Sequence, residues 1–284
     1  MDTLVNIQVV SDRQRTDIEP DVQRAFAWFD TVEQICTRFD ANSEVMQLLG
    51  HVGEPVKVST LLFEVVRFAL ELAEQTDGAF DPTIGATLEQ LGYATNYRTG
   101  KAVQSGVDHR GGDFRDVQLD PSRGTVTLKT AVVLDLNAVC KGLAIDLAAQ
   151  ALAEFPGVCV EAGGDLYVGG HNLAGQPWRV GIQHPRVEGL LARTVEVTDA
   201  AVCTSGDYER GAHVLDARSR KAIRDLASVT VVAPTAMAAD GLSTAAMVLG
   251  RERGLALLEN QGVHGLVLDA DGTGYQTQGF PTSG

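Results

Sequence analysis

The sequence predicts an α+β chain built on a mainly antiparallel sheet, and three observations carry that expectation. Period-2 apolar runs come in pairs around turn residues, two long stretches repeat apolar residues at the 3–4 spacing of a buried helical face, and helices and strands mix without a strict βαβ rhythm. At 284 residues the chain has room for one large domain or two small ones.

Residues 3–10 (Thr3, Leu4, Val5, Asn6, Ile7, Gln8, Val9, Val10) alternate loosely and are rich in β-branched residues, which predicts a first strand. From Val22 the apolar positions Ala25, Phe26, Phe29, Val32, Ile35, Cys36 and Phe39 mark one helical face. Leu61, Leu62, Val65, Ala69 and Leu72 repeat the spacing in a second helix, with Ser59 or Thr60 as N-cap and Glu64 placed to return a bond to the first turn. TDGAFDPTIG (76–85) is too dense in Gly and Pro for a regular element and reads as a structured loop.

Residues 116–136 read as a hairpin around Asp120-Pro121-Ser122-Arg123-Gly124, leading through NAVCKG into a helix from Leu143 to Phe155. VCVEAGGDLYVGG (158–170) gives strand, Gly-Gly turn and strand, and WRVGIQHP (178–185) a further strand. ASVTVVAP (227–234) is an apolar strand stopped by Pro234, after which Thr235-Ala236-Met237 enters the helix AADGLSTAAMVLG. Ser, Gly and Thr dominate the last residues, which are expected to fray.

Lys and Arg number 23 against 37 Asp and Glu, a net charge of −14 that repels nucleic acid and anionic lipid. A nucleotide site here needs a local cation, either Lys/Arg or a metal. The four cysteines (Cys36, Cys140, Cys159, Cys203) form no C-x-x-C pair and read as reduced thiols. The N-terminus lacks the pattern of a secretory signal and no stretch is apolar enough to span a membrane, so a cytoplasmic protein is expected.

No G-x-G-x-x-G, P-loop, H-E-x-x-H or G-x-S-x-G is present. Chemistry concentrates instead at two strand-to-helix junctions and one polar cluster. In LDLNAVCKGLAID (134–146), Lys141-Gly142 open a helix whose free N–H groups could face an anion, unless Lys141 is simply an exposed helix-start lysine. In MAADGLSTAAM (237–247), Asp240 and Thr244 lie one turn apart on one face, either as hard oxygen donors for Mg²⁺ or as a capping carboxylate and a back-bonded hydroxyl. CTSGDYERGAHVLDARSR (203–220) packs Ser205, Asp207, His213, Asp216 and Arg218 into one stretch, with His213 either a catalytic base or a core histidine.

Taken in order, Met1-Asp2-Thr3, Ser43-Glu44, TDGAFDPTIG, LDLNAVCKGLAID, EAGGDLYVGG (161–170), TSGDYER (204–210), HVLDARS (213–219) and SVTVVAPTAMAADGLSTA (228–245) resemble the ApbE-type FAD:protein FMN transferases over nearly the whole chain. The resemblance implies a single T-fold-like α+β domain over residues 1–284. It implies an enzyme that uses Mg²⁺ to cleave the FAD pyrophosphate and moves FMN onto a Ser or Thr of an acceptor protein, with AMP leaving. An FAD pyrophosphatase or a non-catalytic FAD-binding protein is the alternative.

By the same resemblance Asp240, Thr244 and the carbonyl of Cys140 are metal ligands, and His213, Asp207 and Lys141 are catalytic. Thr3, Phe80, Asp81, Lys141, Gly163, Gly164, Asp165, Ser205, Gly206 and Arg218 are expected to contact FAD. Asp216-Ala217-Arg218-Ser219-Arg220 stands where the family has D-P-R-T-G.

Overall fold

A computed structural model describes residues 3–96, 99–109, 111–207 and 214–281. In chain order the elements are β1 (Val5–Val10), α1 (Arg15–Cys36), α2 (Glu44–Gln47), β2 (Val56–Lys57), α3 (Thr60–Gln75), α4 (Gly85–Gln90), β3 (Val117–Asp120), β4 (Thr125–Leu128) and α5 (Asn137–Gln150). There follow β5 (Gly157–Ala162), β6 (Asp165–Gly170), β7 (Trp178–Gln183), β8 (Leu191–Val197), β9 (Ala200–Gly206), β10 (Leu215–Asp216), β11 (Lys221–Ala222) and β12 (Leu226–Ala233). The chain closes with α6 (Ala236–Leu249), α7 (Arg251–Asn260), β13 (His264–Asp269) and β14 (Gly274–Gln276). The α+β class is therefore as expected. Packing sorts the described residues into two compact units, the first of 30–140 and 217–220, the second of 3–29, 141–216 and 221–281.

In the first unit α3 buries Leu62, Val65, Ala69 and Leu72 of the face its spacing predicted, with Val66 in addition, while Leu61 is half-buried. Ser59 is its N-cap and accepts from Leu62 N at 3.2 Å. The return bond comes from Glu44 rather than Glu64: Glu44 accepts from Ser59 N at 2.5 Å and from Ser59 Oγ at 2.7 Å. Glu64 stands two residues beyond the position from which a side chain reaches back to the cap, and it pairs with Arg67 instead. The predicted hairpin is β3–β4, which with β2 makes a sheet of order β2-β4-β3. Its second strand ends at Leu128, short of the expected 136.

In the second unit seven strands form a sheet of order β1-β5-β6-β9-β12-β13-β14, antiparallel throughout. β12 is buried at all eight positions, because α6 packs on one side of β9 and β12 and the β7–β8 ribbon covers the other. A strand covered on both faces reads as one apolar run. Gly163 and Gly164 turn β5 into β6 at φ of 60° and 88°, a conformation that favours glycine at both places. Helix α7 and strands β8, β9, β11, β13 and β14 of this unit were not foreseen, nor were α2, α4 and β2 of the first.

Two boundaries move with consequence. The first helix starts at Arg15 and stops at Cys36, before Phe39. α5 starts at Asn137, so Lys141-Gly142 lie inside a helix and do not open it. Among the described residues no helix is long and apolar enough to cross a membrane.

Candidate active site

The chemistry of the second unit gathers where α5 and α6 meet. Gly142 lacks a side chain because α6 begins against it: a Cβ there would overlap the Ala236 carbonyl and stand 2.6 Å from Met237 N. Close approach lets Gly142 N donate to Asp240 Oδ2 at 3.0 Å. Asp240 is therefore not a solvent-facing cap. Its carboxylate is buried, 98 residues away in sequence from the amide it accepts.

Lys141, the neighbour of that glycine, donates to Asp165 and lies 3.9 Å from Asp240 Oδ1. Its side chain is 19 % exposed, while those of Asp165 and Asp240 are 1 % and 6 % exposed. Asp165 follows the Gly163-Gly164 turn and uses its other oxygen to accept from Thr204 N at 2.7 Å. Burial works against the Lys141 ammonium, but the Asp240 and Asp165 carboxylates outweigh it and hold the lysine above its ordinary value. Burial raises the Asp240 carboxyl far above the usual carboxylate range, with Lys141 opposing the rise and Asp165 adding to it. Two buried carboxylates thus share one cation.

Beside them lies a cluster of hydroxyls. Ser205 Oγ on β9 is 2.8 Å from Ser243 Oγ and 2.9 Å from Thr244 Oγ1 on α6, and Ser243 Oγ donates to the Asp240 carbonyl at 2.8 Å. Strand alternation turns Thr204 to the opposite face, where its hydroxyl is 2.8 Å from that of Thr230. Ser243 was not singled out from the sequence, although it stands three residues after Asp240.

The structure thus brings Lys141, Asp165, Asp240, Thr244 and Ser205 together, and places the other expected residues as follows. Gly206 ends β9 opposite Ser228. Thr3 sits against the Gly163 turn, where an added Cβ would overlap its hydroxyl. Asp207 is held by Arg186 in a two-pronged pair, 2.7 Å at each oxygen. His213 lies outside the described residues.

In the first unit, Asp81 and Arg218 line a cavity of about 270 Å³ together with Thr83, Thr87, His109 and Phe114. The Asp81 carboxylate is occupied by Thr83 N at 2.8 Å, Thr83 Oγ1 at 2.7 Å and Phe114 N at 3.2 Å, so it shapes this loop. Phe80 is buried and its amide donates to Thr76 Oγ1. Cys140 also belongs to this unit, its thiol buried.

The ApbE family model matches residues 1–267. The chain belongs to the ApbE family. The FAD:protein FMN transferase of Haemophilus influenzae is 28% identical over 294 residues, covering 96% of this chain and 83% of the relative. That of Treponema pallidum is 31% identical over 300 residues, covering 95% and 82%. The crystal structure of the ApbE protein of Thermotoga maritima superposes with a TM-score of 0.82 at 29% identity, covering 97% of this chain and 96% of that one.

The donor chemistry of this ApbE chain also suits one class of metal. Asp240 and Thr244 offer hard oxygens one turn apart on α6, and the buried Asp165 carboxylate lies beside them on Lys141. Among the described residues no group of three or more His, Cys, Asp or Glu could hold a metal. A site of few protein oxygens fits Mg²⁺, which keeps waters and takes substrate phosphate oxygens to complete its shell.

Proposed function

We propose that this chain, read as one flavin transferase domain, is a Mg²⁺-dependent FAD:protein FMN transferase that attaches FMN through a phosphoester to a Ser or Thr of an acceptor protein. The observation that carries the reading is the buried pair Asp165 and Asp240 around Lys141, in a chain whose relatives bear that enzyme name. Asp240 and Thr244 would hold the metal. When bound, Mg²⁺ supplies positive charge to the oxygens of the pyrophosphate.

The residues of the chain do the rest. Lys141 keeps the two carboxylates at fixed positions and stays charged, while Gly142 N orients Asp240 through one oxygen and leaves the other turned toward the lysine. Ser205, itself bonded to Ser243, holds the hydroxyl of Thr244 in place. His213 takes the proton of the acceptor hydroxyl as its oxygen bonds to the FMN phosphorus, and the bond from that phosphorus to the bridging oxygen breaks with its electron pair leaving on AMP. Asp207, held by Arg186 six residues ahead of His213, would anchor the strand end leading to it.

A docked hydroxyl competes with water because positioning is worth an effective concentration of about 10⁵ M or more. Asp240→Ala and Thr244→Ala should each abolish Mg²⁺-dependent labelling of an acceptor protein, read as flavin fluorescence on a denaturing gel. Full labelling by either variant would contradict the metal assignment.

A further inference from the structure

The helix that carries Asp240 and Thr244 is held at its start by a residue from another helix. Asp146, on α5, accepts from Ala236 N at 2.7 Å through Oδ1 and from Met237 N at 2.9 Å through Oδ2. Thr235 accepts from Ala238 N at 3.3 Å, and Ala239 N bonds back to the Thr235 carbonyl at 3.0 Å. The opening amides of α6 are thus all satisfied, two of them by a carboxylate 90 residues earlier in the chain.

The placement of this tie matters more than its contribution to the helix end. Asp146 follows Gly142 by four residues and shares its face of α5, and Asp240 follows Ala236 by four on α6. Asp146 binds the amide of Ala236, and Asp240 binds the amide of Gly142. These two ties lie one turn apart on each helix and run in opposite directions. Gly142 permits the contact by having no side chain. A local cap such as Thr235 ends the helix but says nothing about where α6 lies along α5. The Asp146 tie does.

We propose that Asp146 is a positioning residue for the metal site: it fixes the register of α6 against α5, and so sets where Asp240 and Thr244 stand relative to Lys141. The proposal rests on the Mg²⁺ reading given above. The bonds of Asp146 go to Ala236 N and Met237 N, so it acts through the backbone of the first turn of α6. Asp146→Asn keeps the shape but loses one of the two acceptor oxygens, whereas Asp146→Ala loses both. Either lets the turn shift, and residues that orient metal ligands typically contribute about tenfold or more in affinity.

The test is calorimetric titration of Mg²⁺ into the wild-type chain, Asp146→Asn, Asp146→Ala and Thr235→Ala, with amide hydrogen exchange at Gly142 followed in the metal-free proteins. The expected result is a Mg²⁺ dissociation constant raised about tenfold or more in the Asp146 variants. In Thr235→Ala, which loses a cap bond at the same helix end, the constant should stay near that of the wild type despite a lower melting temperature. If Asp146→Ala does not fold, Asp146→Asn carries the comparison.

Wild-type affinity in the Asp146 variants, or an equal loss in Thr235→Ala, overturns the proposal. If the wild-type chain takes up no Mg²⁺, the metal reading fails and exchange at Gly142 decides the register alone. Faster exchange in Asp146→Asn supports the tie, and unchanged exchange overturns it.

Discussion

Gly142→Ala puts the packing of α5 on α6 to a test in which two effects have opposite signs. In a helix interior, alanine is favoured over glycine by about 1 kcal/mol, so on propensity alone the substitution stabilises. The structure predicts the reverse. The new Cβ would overlap the Ala236 carbonyl and stand 2.6 Å from Met237 N, close to 1 Å inside the roughly 3.5 Å of ordinary contact. Both obstacles are backbone, so no side chain can swing away and the helices must separate.

Overpacking of this kind costs about 1–3 kcal/mol, and backbone obstacles place it at the upper end, leaving a net loss of about 2 kcal/mol after the propensity gain. Separation also lengthens the bond from Gly142 N to Asp240, and a misplacement of about 1 Å near reacting groups can cost about 100-fold in rate. Urea denaturation gives the stability, and AMP release from FAD gives the rate. A variant more stable than the wild-type chain with undiminished turnover would refute the packing argument.

Three other substitutions probe separate parts of the account. Lys141→Met leaves Asp165 and Asp240 facing each other without their shared cation, a loss of about 3–5 kcal/mol by denaturation at neutral pH, and a change below 1 kcal/mol would show that the pair is not coupled. Burial raises the Asp146 carboxyl to about 6, the amides of Met237 and Ala236 only partly offsetting it, so the folded chain keeps this proton over a pH range where the unfolded chain has lost it. Its contribution to stability is thus present in full below pH 3.8 and is lost as pH rises to about 6. The loss is on the order of 3 kcal/mol, each tenfold in proton affinity being worth about 1.4 kcal/mol, and Asp146→Asn should flatten that part of a denaturation-against-pH curve. Arg220 sits at φ 56°, where a side chain costs about 1 kcal/mol, so Arg220→Gly should raise the unfolding free energy measured in urea by that amount, and a lowered value would count against strain at this turn.

That last position shows how the sequence and the fold inform each other. The family turn D-P-R-T-G has glycine at its end, and the left-handed backbone of Arg220 shows the physical need that the glycine meets. Local signals were dependable wherever local chemistry decides the structure. The Asp120 to Gly124 turn, the Gly163-Gly164 turn, the Ser59 cap and the apolar face of α3 all form as their residues dictate.

What could not be read was set by distant partners. The strand and loop before Lys141-Gly142 place that pair at a helix start, yet Gly142 lies within α5, where α6 needs its space. Asp165 carries no local mark of its pairing with a lysine 24 residues away. Asp146 sits unremarked in an ordinary helical run, and only the fold brings it to the amides of Ala236 and Met237. The stretch from 251 to 276 went unassigned, although its Leu257, Leu258, Leu266, Val267 and Leu268 are buried.

The central claim is that this chain cleaves FAD with Mg²⁺ and passes FMN to a protein. The direct measurement is to incubate it with FAD and a candidate acceptor protein, with Mg²⁺ or with EDTA, and to follow FAD, AMP, free FMN and protein-bound flavin by chromatography. The account predicts Mg²⁺-dependent loss of FAD, with AMP and protein-bound flavin appearing in equal amounts. Free FMN with AMP and no labelled protein would show a pyrophosphatase instead, and FAD that stays bound and intact would contradict catalysis altogether.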